Sequence, residues 1–103
     1  MSKYGAIAVE VDGIRFASKR EAARYGLLRV LEGAGQISGL VLQPRFPLVV
    51  EGEKICTYVA DFQYTDCTTG AVITEDCKGM KTPVYRLKAK LLKALHGIAI
   101  LET

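Results

Sequence analysis

Asp61, Asp76 and Lys78 are residues whose types and spacing could do chemistry. Asp61 lies in the run Val59-Ala60-Asp61-Phe62, and the other two lie in Glu75-Asp76-Cys77-Lys78-Gly79. Between the runs, Asp66-Cys67-Thr68-Thr69-Gly70 has turn chemistry. A hairpin closing symmetrically about Thr68-Thr69 sets position 61 opposite position 76. Directly opposed side chains on one face have Cβ atoms roughly 4.5–5.5 Å apart. Lys78 is two residues beyond Asp76 and shares its face. Two adjacent carboxylates repel unless a cation, a shared proton or separation relieves them. A divalent metal would do so, and hard oxygen donors suit Mg²⁺. A neighbouring lysine can stabilise an anionic transition state or help deprotonate an attacking water. The competing reading is an ordinary surface hairpin with its charges in water.

The strands that must carry these residues are legible. Lys54 to Thr65 is rich in Ile, Tyr, Val and Phe, as strands are. Ala71-Val72-Ile73-Thr74 restarts the chain as the returning strand. Upstream, Met1 to Ile7 reads as a loose or marginal start. Ala8 to Phe16 reads as a hairpin turning at Asp12-Gly13. Ile37 to Val50 reads as extended, with a bend, because Pro44 and Pro47 exclude a central strand there. Glu51-Gly52-Glu53-Lys54 is a turn whose acids are solvated. Ile98-Ala99-Ile100-Leu101 supplies a last strand.

Two helices are expected. Ser18-Lys19-Arg20-Glu21 fits a capping box opening the first, which should stop near Gly33 to Gly35. Ala23, Leu27, Val30, Leu31 and Ala34 recur at helical spacing as its buried stripe. Glu21 reads either as part of the cap or as a third carboxylate reaching Asp61 and Asp76. Thr82 and Pro83 open the second helix as N-cap and first residue, and His96-Gly97 closes it. Val84, Leu87, Leu91, Ala94 and Leu95 form its expected buried stripe, with Arg86, Lys90 and Lys93 on a different face. No acid stands between Lys78 and Ile100, and a helix N-terminus favours anions. The basic residues therefore read as a phosphate-binding ridge, against the plainer reading of a solvated face. His96 lacks a second ligand at metal spacing and reads as a cap or surface residue.

At 103 residues the chain has room for one domain, residues 1–103, with one core. Half its residues are hydrophobic and 24% charged, with a net charge of +3, so a soluble globular protein is expected. The three cysteines, Cys56, Cys67 and Cys77, read as free thiols in a reducing compartment. No apolar run approaches the ~20 residues of a membrane span.

The order of elements, with the residues already named, resembles the PD-(D/E)XK nuclease superfamily across roughly residues 8 to 102. Asp61 followed by Asp76-Cys77-Lys78 matches its signature. Ser18-Lys19-Arg20-Glu21-Ala22, Tyr58-Val59-Ala60-Asp61-Phe62 and Glu75-Asp76-Cys77-Lys78-Gly79 look like small phage-encoded members of uncharacterised function, and like the catalytic domain of the TnsA-type transposon endonuclease subunit. Ala60 stands where the signature has Pro, and Asp76 where Glu is commoner.

The resemblance implies an α/β fold. Its restriction-endonuclease-like core would be an α-β-β-β-α-β mixed sheet flanked by helices, here with an N-terminal β-hairpin. It implies Asp61, Asp76, the Cys77 carbonyl and Glu21 as ligands of Mg²⁺ or Mn²⁺, and Lys78 as the group acting on water and phosphate. Glu75, on the other strand face, is structural or supports the ligands. Lys81, Tyr85, Arg86, Lys88 and Lys90 would contact DNA. The implied function is a Mg²⁺/Mn²⁺-dependent DNA endonuclease, structure-selective or non-specific, in phage DNA replication, recombination or processing. It would act in the cytoplasm of a bacterial host, as a homodimer or within a larger DNA-processing complex. The N-terminal hairpin and the Pro44–Pro47 segment are the expected interface. The alternative is a catalytically silent nucleic-acid-binding module on the same fold.

Overall fold

The computed structural model describes residues 8–103, so the expectation for Met1–Ile7 lies outside the described residues. The chain runs β1 (Val9–Val11), β2 (Ile14–Phe16), α1 (Lys19–Gly33), β3 (Ile37–Leu42), β4 (Arg45–Val50), β5 (Glu53–Val59), β6 (Phe62–Asp66), β7 (Val72–Asp76), α2 (Pro83–His96) and β8 (Ile100–Glu102). This is an α/β fold. Its main sheet has the order β3-β6-β7-β8. The first three strands are antiparallel to their neighbours and β8 is parallel to β7. β1–β2 and β4–β5 are separate two-stranded ribbons. Among the described residues no helix is long and apolar enough to cross a membrane.

The β6–β7 register is Phe62 opposite Glu75 and Tyr64 opposite Ile73, the symmetric closure expected about Thr68-Thr69. The turn is locked locally. Asp66 Oδ1 accepts from the Thr68 amide at 2.8 Å, and Gly70 takes φ +78°, where a side chain would be strained. One expectation fails here. Lys54–Thr65 is not one strand but breaks at Ala60-Asp61 into β5 and β6, which belong to different sheets. The break is held by three backbone bonds: Ala60 N–H to Pro44, Gln43 N–H to Asp61, and Asp61 N–H to Glu75. Asp61 therefore sits where the chain changes sheets. Pro47 lies in β4, a strand of the ribbon, and leaves the central sheet free of proline.

Both helices bury faces other than the expected ones. α1 buries Ala22, Tyr25 and Leu28, while Leu27 and Val30 are 48% and 67% exposed, and Ala23 and Ala34 are exposed too. Of the expected stripe only Leu31 packs partly against the core. The face toward the sheet carries polar side chains that find partners there. Arg24 binds Glu75, and Glu32 Oε2 accepts from the Leu40 amide at 3.1 Å. Apolar periodicity therefore pointed to the opposite side. Tyr25 stacks against Phe16 at 4.9 Å between ring centroids and donates to Asp12. The N-terminal hairpin is thereby fastened to α1, and Val9, Val11 and Ile14 pack on the core, while Glu10 and Arg15 stay exposed on its outer face.

α2 fully buries Leu92, against Leu48, Tyr58 and Ala60. Such a side chain contributes about 1.5–3 kcal/mol. Val84, Leu87, Ala94 and Leu95 are exposed and Leu91 is half-buried, so the expected stripe lies at the edge of the contact. The cause is the narrow support: α2 packs on the β4–β5 ribbon, anchored at its end by His96 Nε2 against the Pro47 carbonyl at 2.8 Å. Phe46 and Leu48 also face this second cluster, while Arg45 and Pro47 of the Pro44–Pro47 segment are exposed. Thr82 caps α2 by accepting from the Tyr85 amide, and Gly97 ends it in the left-handed conformation.

Candidate active site

Strand alternation sends Glu75 and Asp76 to opposite faces of the sheet. On the α1 face, Glu75 is fully buried. Its Oε1 and Oε2 accept from Arg24 Nε at 2.7 Å and Nη2 at 2.6 Å, and the Tyr64 hydroxyl donates to it as well. The two-pronged arrangement makes Glu75 the clamp between α1 and β7, in keeping with a structural reading of this residue.

On the other face, Asp76 is 2% exposed. The buried Tyr58 hydroxyl donates to its Oδ2, and Lys78 Nζ lies 3.4 Å from the same oxygen. Lys78 also stands 4.6 Å above the centroid of the Tyr85 ring, an attractive cation–aromatic contact. The lysine head is thus held between a carboxylate and an aromatic face.

Asp61 neighbours Asp76 where the chain changes sheets. Burial, the neighbouring Asp76 carboxyl and the charge of Glu21 raise its carboxyl to about 7, against the Cys77 amide. That amide donates to Asp61 Oδ2 at 2.7 Å. Glu21 is also raised, by burial and then by Asp76, while Lys78 opposes the shift. Glu21 therefore feels both partners across the site. Ser18 accepts from the Glu21 amide at 3.2 Å, but no reciprocal bond from the Ser18 amide to the Glu21 carboxylate is found among the described residues. The backbone of Glu21 serves the cap and its side chain lies in the field of the acidic pair.

Two clefts flank these groups. One, of about 270 Å³, is lined by Thr57, Tyr58, Asp76, Lys78, Tyr85 and Lys88 among others. The other, of about 120 Å³, includes Arg15, Glu21, Gln43 and Asp61. Glu21 and Asp61 thus share the smaller cleft and Asp76 and Lys78 the larger, with Cys77 supplying the amide beside Asp61. Tyr85 and Lys88 join the larger cleft, where Lys88 Nζ also reaches the Thr57 carbonyl at 3.4 Å. Lys81 is held by Glu102 at 2.9 Å. Arg86 and Lys90 are exposed and do not line the cleft. Helical spacing puts them on the far side of α2 from Tyr85 and Lys88.

Sequence reasoning missed Tyr58, Arg15 and Glu102. Tyr58 had only its place three residues before Asp61 as a signal. Arg15 reaches the site through the packing of the β1–β2 hairpin, and Glu102 through the parallel pairing of β8 with β7, which sets it beside Asp76. Neither leaves a local mark.

Chemically, the arrangement is an acidic pair, Asp76 buried and Asp61 half-buried, with one lysine held on Asp76 and a basic cleft alongside. Among the described residues, no three His, Cys, Asp or Glu side chains come together as a ready metal-holding group. Fold and site define an α/β domain with a paired-aspartate and lysine centre at the junction of its sheets. The chain belongs to the family described as a protein of unknown function, DUF1064, whose model matches residues 1–97. No curated protein and no solved structure matches it.

Proposed function

We propose that this chain is a metal-dependent DNA nuclease with a restriction-endonuclease-like core. The observation that carries the reading is that Asp61 Oδ2 accepts from the amide of Cys77, the residue after Asp76, while Lys78 Nζ lies 3.4 Å from Asp76 Oδ2. The strand order supports it. After α1, three antiparallel strands, a helix and a fourth strand parallel to the third follow in the implied sequence, with the β4–β5 ribbon inserted. Asp61 and Asp76 offer hard oxygens, which fit Mg²⁺ or Mn²⁺. They would hold the ion together with the Cys77 carbonyl, and Glu21 would approach it from α1. Such an ion supplies charge stabilisation at a phosphate and a stronger nucleophile from water.

The chain's own residues supply the rest. Tyr58 fixes the orientation of Asp76 through its hydroxyl. Lys78, once released from Asp76, can place its charge on a phosphate in the cleft. Lys88 and the start of α2 receive the flanking backbone. A homodimer or a larger DNA-processing assembly belongs to the same proposal. Apolar side chains free to meet a partner include Leu27 and Val30 of α1 and Val84 and Leu87 of α2, with Ile55, Val72 and Met80 on strands and a loop.

The second reading is a silent nucleic-acid-binding module. It is favoured by the lack of a preassembled three-ligand group among the described residues. Incubation with supercoiled, linear, flapped and four-way-junction DNA decides between the two, each with Mg²⁺, Mn²⁺ or chelator. Metal-dependent cutting that disappears in Asp76→Ala and Lys78→Ala is expected. Salt-sensitive binding without cutting in any metal would leave the silent module, and no binding would remove both.

A further inference from the structure

Glu102 is the acid that faces the basic start of α2. β8 sets it beside Asp76 in register. Its two carboxylate oxygens are taken separately, Oε1 by Lys81 Nζ at 2.9 Å and Oε2 by the Tyr85 hydroxyl at 2.8 Å. Tyr85 lines the cleft beside Asp76 and carries Lys78 over its ring. The carboxylate therefore lies at the margin of the cleft, on donors adjoining Lys78. Two oxygens met by an ammonium and a hydroxyl are also how the two non-bridging oxygens of a phosphodiester are held. The ion pair is part-exposed, and such pairs are weak enough to exchange.

We propose that Glu102 occupies a phosphate subsite built by Lys81 and Tyr85, and that a backbone phosphate of the substrate displaces it. The proposal rests on the DNA-binding part of the function given above. Glu102 is then a built-in competitor. It lowers affinity for nucleic acid generally, and its displacement frees the Tyr85 hydroxyl next to Lys78.

The test compares the parent with Glu102→Gln, which keeps the shape and loses the charge. Two titrations are read, one with inorganic pyrophosphate followed by NMR shifts of Lys81 and Tyr85, and one with a short DNA duplex across a salt series in chelator. Glu102→Gln should bind the duplex about 3–10-fold more tightly at low salt, with a salt slope steeper by about 0.9, as for one more phosphate neutralised. Lys81→Ala should cost more affinity in the Glu102→Gln background than in the parent. Pyrophosphate should shift the Lys81 and Tyr85 signals at lower concentration in the variant. If the parent cuts DNA and Glu102→Gln binds both ligands no better than the parent, the subsite is wrong and the nuclease reading stands. If pyrophosphate binding tightens while no form binds DNA, the subsite stands and the DNA reading falls. Weaker binding of both ligands by Glu102→Gln would overturn the competitor role.

Discussion

The Tyr58 hydroxyl donates to Oδ2 of Asp76, and both residues are almost wholly buried. The pair links the β4–β5 ribbon to the main sheet at the acidic site. Tyr58→Phe leaves Asp76 with Lys78 alone on that oxygen. A buried acceptor deprived of its donor costs about 1–3 kcal/mol, which for a domain of this size lowers Tm by about 4–8 °C per kcal/mol. Tyr85→Phe, whose hydroxyl meets the part-exposed Glu102, should melt close to the parent. Thermal melts of the two variants side by side check this, and equal losses would contradict the distinction.

Lys88 and Lys90 carry the same charge on the same helix, two residues apart, but only Lys88 lines the cleft. Lys88→Ala should weaken duplex binding several-fold and reduce the salt slope by about 0.9. Lys90→Ala should change both little. Gel shifts over a salt series separate them. Equal effects would mean that DNA follows the outer ridge of α2 and not the cleft.

Lys78 and Asp76 should matter for turnover more than for binding. A group whose charge is used in the transition state lowers the rate when removed and leaves ground-state affinity nearly intact. Lys78→Ala and Asp76→Ala are expected to retain DNA binding within a few-fold and to lose metal-dependent nicking. Paired binding and nicking assays test this. Cutting at the parent rate by either variant would end the nuclease assignment.

Arg24 and Glu75 form a two-pronged ion pair on the opposite face. Arg24→Ala strands a fully buried carboxylate, and breaking such a pair from one side costs about 3–5 kcal/mol. The Tyr64 hydroxyl remains and should keep the loss toward the lower end. Chemical denaturation measures it. A loss under about 1 kcal/mol, the range of surface pairs, would show that Glu75 reaches water or another partner.

The metal-free protein should lose stability as pH rises toward neutrality. Asp61 is shifted from 3.8 to about 7 by burial and by Asp76. Between those values the folded chain holds a proton that the unfolded chain has released. Folding then weakens with rising pH across that window, and the loss is complete above about 7. Melts in chelator should fall more steeply from about pH 5 to 7 in the parent than in Asp61→Asn. Parallel curves would remove Asp61 as the source.

What the amino-acid sequence determined by itself was local. The turn at Asp66–Gly70 sets the β6–β7 register, because a short hairpin has one closure that keeps both apolar faces inside. The two-residue repeat of a strand then places Lys78 with Asp76 and Glu75 away from them. Ser18, Thr82-Pro83 and Gly97 bound the helices because capping groups act within a turn of the chain. The tertiary structure alone decided which helix faces are buried. Glu32 and Arg24 turn inward to partners eight and fifty-one residues away, and no periodicity anticipates such partners. It also decided the break at Ala60-Asp61, the arrival of Tyr58 on Asp76 and the pairing of β8 that sets Glu102 on Lys81 and Tyr85. Each depends on segments distant in sequence meeting across the fold, where the balance of burial and hydrogen bonding is set by both sides at once.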